Sequence, residues 1–287
     1  MNFVFFGTPK FAAIIIKKLV ENSYIPKVLI CNPDRPVGRK KIITPPLTKQ
    51  LVLTKKYPIK IIQPESLKNL SPLDPNSILT ILSSHKIDYA IVAAYNIIIP
   101  KELIKFFRLG VIGVHPSLLP KYRGPSPIQA AILNGDAKTG VTLYLIDEKV
   151  DHGPVLSQIK VKIENETYEK LEKKLALAAA KLLLETLSLF EQGKINSAVQ
   201  NEDNATITKK FISADGFIKE KELEEAESGN NPEKAKIIGQ KIRALNPEPG
   251  TWTNKNGKRM KILETKISSE KLVLKKIQFE GKKPTVL

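Results

Sequence analysis

The sequence predicts an α/β chain: a Rossmann-like domain, mostly parallel sheet with helices on both faces, followed by a small β-domain. Three observations carry this. The chain opens strand, Gly-turn, helix: Asn2 to Phe6, then Gly7-Thr8-Pro9, then Lys10 to Glu21 with a large apolar face. Short apolar runs then alternate with helical patterns to about residue 190. Beyond Gly193 the chain turns polar and turn-rich, then lysine-rich in short strand-like segments. The expected division is a first domain over 1–192, a linker over 193–204 and a second domain over 205–287.

The elements follow in order. Thr8 is placed to cap the first helix, with Pro9 at its first position. No Gly-x-Gly-x-x-Gly follows the opening strand, so a dinucleotide site is rejected. Lys27 to Cys31 is a second strand that opens into residues 32–46, a loop of turn formers and positive charges. Loops this long inside a compact domain are usually functional or disordered, and a merely solvated basic loop is the plain alternative. A helix (Leu47 to Lys56), a strand (Ile59 to Ile62) and a helix (Ser77 to Ser84) come next. The central apolar strand, Asp88 to Ala94, then ends in Tyr95-Asn96. Pro100 starts the helix leading to Gly110. Ser126-Pro127 caps a helix over Ile128 to Leu133, which Asn134-Gly135 terminates. Val155 to Ile163 alternates as a strand, and an amphipathic helix, Thr167 to Leu189, closes the first domain. In the remainder an acidic patch, Glu220 to Glu227, precedes a basic helix, Glu233 to Leu245. Gly250 to Thr253, Lys258 to Lys266 and Lys271 to Phe279 read as strands, with Trp252 as a core residue.

Length and composition bound the function. The 287 residues suffice for one large domain and one small one, and 42% hydrophobic content is ordinary for a globular protein. The single cysteine, Cys31, excludes a disulfide framework and fits a reducing compartment. No apolar run reaches the ~18 residues that would cross a bilayer. Met1-Asn2 leads straight into Phe3, without a basic leader, so a cytoplasmic protein with no membrane partner is expected. The net charge of +17 favours a polyanionic partner, nucleic acid before membrane, although a Lys-, Ile- and Asn-rich compositional drift accounts for part of it. From Pro232 to the end there are 14 Lys/Arg against 5 Asp/Glu, a density suited to a phosphate backbone.

Two stretches carry the chemistry. A short strand, Gly110 to Val114, delivers His115 at its lip, into a loop stiffened by Pro116, Pro120 and Pro125. A second strand, Thr139 to Ile146, delivers Asp147, Glu148 and Asp151 just past its end. In open α/β sheets, functional residues gather at the carboxyl ends of strands. A histidine and a carboxylate there provide a proton carrier and a group to orient it. Taken singly, each has a plainer reading: a hydrogen-bonded structural histidine, and an aspartate serving a turn.

The string His115-Pro116-Ser117-Leu118-Leu119-Pro120-Lys121-Tyr122-Arg123-Gly124, followed by Asp151-x-Gly153-Pro154, resembles the folate-dependent formyltransferase superfamily. Its members formylate glycinamide ribonucleotide, certain nucleotide sugars and methionyl-tRNA. The resemblance implies 10-formyltetrahydrofolate as co-substrate, no metal, and His115 and Asp151 in the histidine and aspartate places of an Asn-His-Asp set. Moving a formyl group to an amine passes through a tetrahedral intermediate. That intermediate needs an oxyanion donor, a proton carrier and an orienting carboxylate. The backbone at Asn96, Ile97, Ile98 and Ile99, at Ser117, Leu118, Leu119 and Pro120, and at Asp147 is implied to line the folate pocket. His152 is read as incidental, and the turn Gly7-Thr8-Pro9 is implied to lie near the acceptor.

Two further segments are similar to the methionyl-tRNA branch. Pro33-Asp34-Arg35-Pro36-x-Gly38-Arg39 resembles an insertion that contacts the acceptor arm of the tRNA, which implies that role for Arg39, Lys40 and Lys41. Asn246-Pro247-x-Pro249-Gly250-Thr251-Trp252 is a signpost of an oligonucleotide-binding (OB-like) β-barrel, here shortened by one hairpin before Leu272. Lys275, Lys276, Lys282 and Lys283 are its expected phosphate contacts. One departure stands out: the pattern is Asn-x-His, and this chain has Gly113-Val114-His115. Asn96 meanwhile stands where that branch has Gly, so Asn96 is expected to reach into the space beside Gly113 and serve as the donor.

The leading expectation is an enzyme, expected to act as a monomer, that formylates methionyl initiator tRNA. The alternatives are a formyltransferase for a sugar amine, and a tRNA-binding relative that lost catalysis with the asparagine.

Overall fold

Apolar runs buried on both faces must lie between two layers, and they become the strands of one sheet. The structure is a computed structural model and describes every residue except Arg39, Asn69 and Pro72. In chain order β1 (Phe3–Phe6) leads to α1 (Lys10–Glu21) and β2 (Val28–Ile30). A hairpin of β3 (Arg35–Val37) and β4 (Ile42–Thr44) follows, then α2 (Leu47–Lys55) and β5 (Lys60–Ile62). Next come α3 (Ile78–Ser84), β6 (Tyr89–Ala93), α4 (Lys101–Phe106) and β7 (Val111–His115). The elements α5 (Pro127–Leu133), β8 (Lys138–Leu145), β9 (Val155–Lys162) and α6 (Tyr168–Glu191) complete this part.

The seven-stranded sheet has the order β5-β2-β1-β6-β7-β8-β9. Its first five strands are parallel, and β8 runs antiparallel to β7. Alternate side chains serve opposite faces. Val4, Phe6, Val28, Ile30, Ala90 and Val111 pack with Ile78 and Leu82 of α3 and Leu103 of α4. On the other face Tyr89 stacks on Phe3, meets Phe190 of α6 edge-on at 5.5 Å and donates to Glu191 (2.8 Å). Helices thus cover both faces, as the sequence predicts. Thr8 does not cap α1: Pro9 holds the cap position, and the Thr8 hydroxyl accepts from Asn32 N (3.1 Å) at the end of β2 instead.

The chain forms two units. One comprises Met1–Arg123, Gly140–Val161 and Lys173–Thr206; the other comprises Gly124–Thr139, Lys162–Glu172 and Ile207–Leu287. The expected boundaries follow the chain, whereas these units interleave it. Within the first unit, residues 193–204, read as a linker, are held in place by a bridge between Val155 and Ala198 (2.7 and 2.8 Å) and by the buried Gln200.

In the second unit α5 packs on α8 (Pro232–Leu245), beside α7 (Glu220–Ser228). The strands β10 (Thr251–Lys255), β11 (Lys258–Ser268), β12 (Lys271–Phe279) and β13 (Thr285–Val286) form an antiparallel meander in chain order. Its core is Ile218, Leu223, Ile238, Ile242, Met260, Ile262 and Leu272. Among the described residues β10 and β13 are the sheet's edges, so the unit shows a small antiparallel sheet where a shortened barrel was expected. Trp252 is half-buried outside that core: Phe217 lies 4.6 Å and the Arg259 guanidinium 4.1 Å from its ring, and its Nε1 donates to Ser213 O (2.9 Å).

Candidate active site

His115 closes β7, and the loop after it is tied down by β8 and β9. Thr142 Oγ1 donates to Ser117 O (2.7 Å) and accepts from Leu119 N (3.0 Å); Gln158 Nε2 donates to Leu119 O (2.8 Å). Ser117 Oγ donates to Lys121 O (2.6 Å), and the Leu119–Pro120 bond is cis. So folded, the loop brings the Tyr122 carbonyl back to 2.8 Å from His115 Nε2. A carbonyl only accepts, so Nε2 donates to it. The other ring nitrogen, Nδ1, lies 3.5 Å from Asp151 Oδ2. Both side chains are shielded, with 7% and 15% of their surface exposed.

Asp151 sits at φ +49°, a left-handed conformation that aspartate tolerates better than most residues. Tyr144 and Gln200 hold it there. The Tyr144 hydroxyl donates to Oδ1 (2.7 Å), and Gln200 Nε2 donates to the carbonyls of Asp151 (2.9 Å) and Gly153 (2.8 Å). The Gln200 oxygen in turn accepts from Arg123 Nε (3.1 Å) and Nη2 (2.8 Å), and Arg123 forks onto Glu202 (2.9 and 2.6 Å). The Arg123 bond holds the Glu202 carboxyl below the usual carboxylate range. Gly153 is required by close approach: a Cβ there would overlap the Leu145 carbonyl oxygen. Burial first, and then the negative charge of Asp151, push the Tyr144 phenol well above its ordinary value, so it stays a neutral donor.

Asp147 accepts from Lys149 N (2.9 Å) and pairs with His152 Nδ1 (2.6 Å). His152, read from the sequence as incidental, also lies 3.6 Å from Glu202 and so joins the Asp147 loop to the Arg123 pair. Ser117 and Leu119 are buried, and Thr142 and Gln158 hold their backbone polar groups. Of the segment after β6, Ile98 is 86% exposed and Ile99 is buried.

The expectation for Asn96 needs correction. Gly113 leaves no open space, because it is the direct register partner of Tyr144 on the antiparallel β8. Directly opposed residues share a face, so the Tyr144 ring lies over Gly113. A Cβ at Gly113 would be 2.8 Å from the hydroxyl and closer still to the ring carbons. Asn96 is turned the other way: its Oδ1 accepts from Asn32 Nδ2 (2.8 Å), past the end of β2. The sequence reading considered β7's neighbour on one side and missed β8 on the other.

The residues expected to contact tRNA are spread out. Gly7, Thr8 and Pro9 form the turn after β1, and Lys40 and Lys41 are exposed at the tip of the β3–β4 hairpin; Arg39 lies outside the described residues. Lys275 and Lys276 are consecutive on β12 and point to opposite faces, so with the exposed Lys282 and Lys283 they do not make one patch. Tyr144, Arg123 and Gln200 were absent from the expected site. Arg123 had a signal, lying inside the His115 string; Tyr144 had none beyond being a polar group in an apolar strand, and Gln200 had none, since its chain neighbours are exposed. Among the described residues no three His, Cys, Asp or Glu side chains are grouped to hold a metal. No described helix is long and apolar enough to cross a membrane.

His115 closes β7, Asp151 lies in the loop after the antiparallel β8 that folds back to it, and comparison supplies the class. The chain belongs to the formyl transferase family: the profile described as "Formyl transferase" matches residues 1–187, and "Formyl transferase, C-terminal domain" matches 232–272. It is 37% identical to the methionyl-tRNA formyltransferase of Halalkalibacterium halodurans, over 94% of this chain and 80% of that one. Its fold matches the solved methionyl-tRNA formyltransferase from Clostridium thermocellum with a TM-score of 0.61, at 17% identity over 97% of this chain and 98% of that one. A similar match (TM-score 0.61, 18% identity, 93% and 88% covered) is the N-formyltransferase from Helicobacter canadensis, solved with folinic acid and dTDP-3-aminofucose.

Proposed function

We propose that this chain transfers the formyl group of 10-formyltetrahydrofolate to the α-amine of methionyl initiator tRNA, in the cytoplasm. One observation carries the choice of acceptor: relatives at 35–37% identity across more than nine-tenths of the chain are methionyl-tRNA formyltransferases. The sugar-modifying structures share the fold alone. The charge of +17 supports the same choice, since a small soluble amine needs no such surface.

A polar ligand suits the strand ends. Asn32 Oδ1 and Tyr95 Oη are buried there without a partner among the described residues, and buried polar atoms are rarely left so. The folate supplies the formyl carbon; the chain supplies position and a proton path. One C–N bond forms and another breaks, and one proton must move between the two nitrogens. The His115–Asp151 pair carries that proton from the attacking amine to the departing nitrogen, with the carboxylate balancing the charge on the imidazole.

The test is to incubate the protein with methionyl initiator tRNA and formyl-labelled folate. Label in formyl-methionyl-tRNA is the expected result. Label passing only to an amino-sugar nucleotide would establish the sugar-amine reading, and tight tRNA binding without transfer would establish a non-catalytic relative.

A further inference from the structure

The buried Tyr144 is tied to the site by three observations. It is the register partner of Gly113, and its ring takes the place any side chain at 113 would need. Its hydroxyl donates to Asp151 Oδ1 at 2.7 Å while the other carboxylate oxygen, Oδ2, faces His115 Nδ1 at 3.5 Å. Finally, Asp151 follows β8 by a turn in left-handed conformation, so the bond from Tyr144 back to the turn fixes the direction of the carboxylate. A carboxylate that keeps one oxygen satisfied by a neutral donor is left with the other aimed in a single direction. We propose that Tyr144, lodged over Gly113, is the positioning residue of this site, holding Asp151 by Oδ1 so that Oδ2 meets the His115 ring.

This rests on the proposed formyl transfer, and goes beyond it by assigning Gly113 and Tyr144 as one functional unit. A purely structural tyrosine would fill space with its ring, and the phenylalanine analogue would do as well. A positioning tyrosine needs its hydroxyl, and it needs residue 113 to lack a side chain. His115 and, through its charge, Arg123 also face Asp151, and loss of the phenol removes the bond to Oδ1.

The experiment compares wild type with Tyr144→Phe, Gly113→Ala, Tyr144→Ala and the double variant Gly113→Ala/Tyr144→Ala. Tyr144→Phe keeps the packing and should fold, as circular dichroism would check. Its kcat for formyl-methionyl-tRNA should fall about tenfold or more, as loss of a hydrogen bond to a charged group predicts, with KM for either substrate little changed. Gly113→Ala should lower kcat in the wild type, because it displaces the ring, yet add nothing to Tyr144→Ala. The nuclear magnetic resonance signals of the His115 ring should move in Tyr144→Phe. Full kcat in Tyr144→Phe, or additive effects of Gly113→Ala and Tyr144→Ala, would overturn the proposal. If the wild type transferred no formyl group, the functional reading would fall by itself. Unmoved His115 signals in Tyr144→Phe would then overturn the positioning role separately.

Discussion

At the scale of the residue, the site is a short chain of contacts in which each member fixes the next. Tyr122 O holds the His115 ring at Nε2, and Tyr144 and Gln200 fix Asp151 from two sides. Replacing His115 by Ala should lower turnover by about 10²–10⁴, the usual worth of a positioned acid–base group, with thermal stability close to wild type. Asp151→Ala should fall in the same range; activity of either variant near wild type would remove the pair from the mechanism. His115 and Asp151 were legible in the sequence because each sits in a loop string with few structural reasons to exist. Tyr144 was not, since a tyrosine inside an apolar strand looks like core until the antiparallel register places it over a glycine.

At the scale of the element, loops are held by side chains that come from elsewhere in the chain. The loop after β7 depends on Thr142 and Gln158, so Thr142→Val should cost activity and speed amide hydrogen exchange at Leu119, whose N–H loses its acceptor. Gly153→Ala should destabilise the protein by about 1–3 kcal/mol, as forced overpacking does, and a melting curve would show it. The base of the β3–β4 hairpin is fixed by Asp34, whose carboxylate accepts from Lys49 (2.9 and 2.8 Å) and Gln63 (2.8 Å). The Lys49 bond, then the Gln63 bond, lower the Asp34 carboxyl below its ordinary value. A depressed carboxyl contributes stability that is fully present above its unfolded value, ~3.9, and is lost as pH falls through the folded one. Asp34→Asn should therefore make stability less sensitive to pH below about 4, measured by denaturant titration at several pH values. Periodicity located the strands of the large sheet and most helices, but not β3, β4, α7 or β13. It could not reveal these ties, which join residues far apart in sequence.

At the scale of the whole molecule, the surplus of positive charge predicts a salt-dependent partner. Affinity for tRNA should fall steeply with salt, by roughly 0.7 to 0.9 in log–log slope for each phosphate neutralised. Since Lys282 and Lys283 are both exposed, replacing the two by Ala should flatten that slope by about 1–2 and weaken different tRNAs alike. The order of elements was legible from composition and pattern. The interleaving of the units was not, because α5 and the start of α6 carry nothing in their own sequence that assigns them to the later unit.

Single-turnover formylation, with enzyme in excess over charged initiator tRNA and saturating 10-formyltetrahydrofolate, tests the central claim most directly. Wild type should convert methionyl-tRNA to formyl-methionyl-tRNA. His115→Ala and Asp151→Ala should still bind the tRNA but convert it at least about a hundredfold more slowly. Equal single-turnover rates in wild type and both variants would contradict the account.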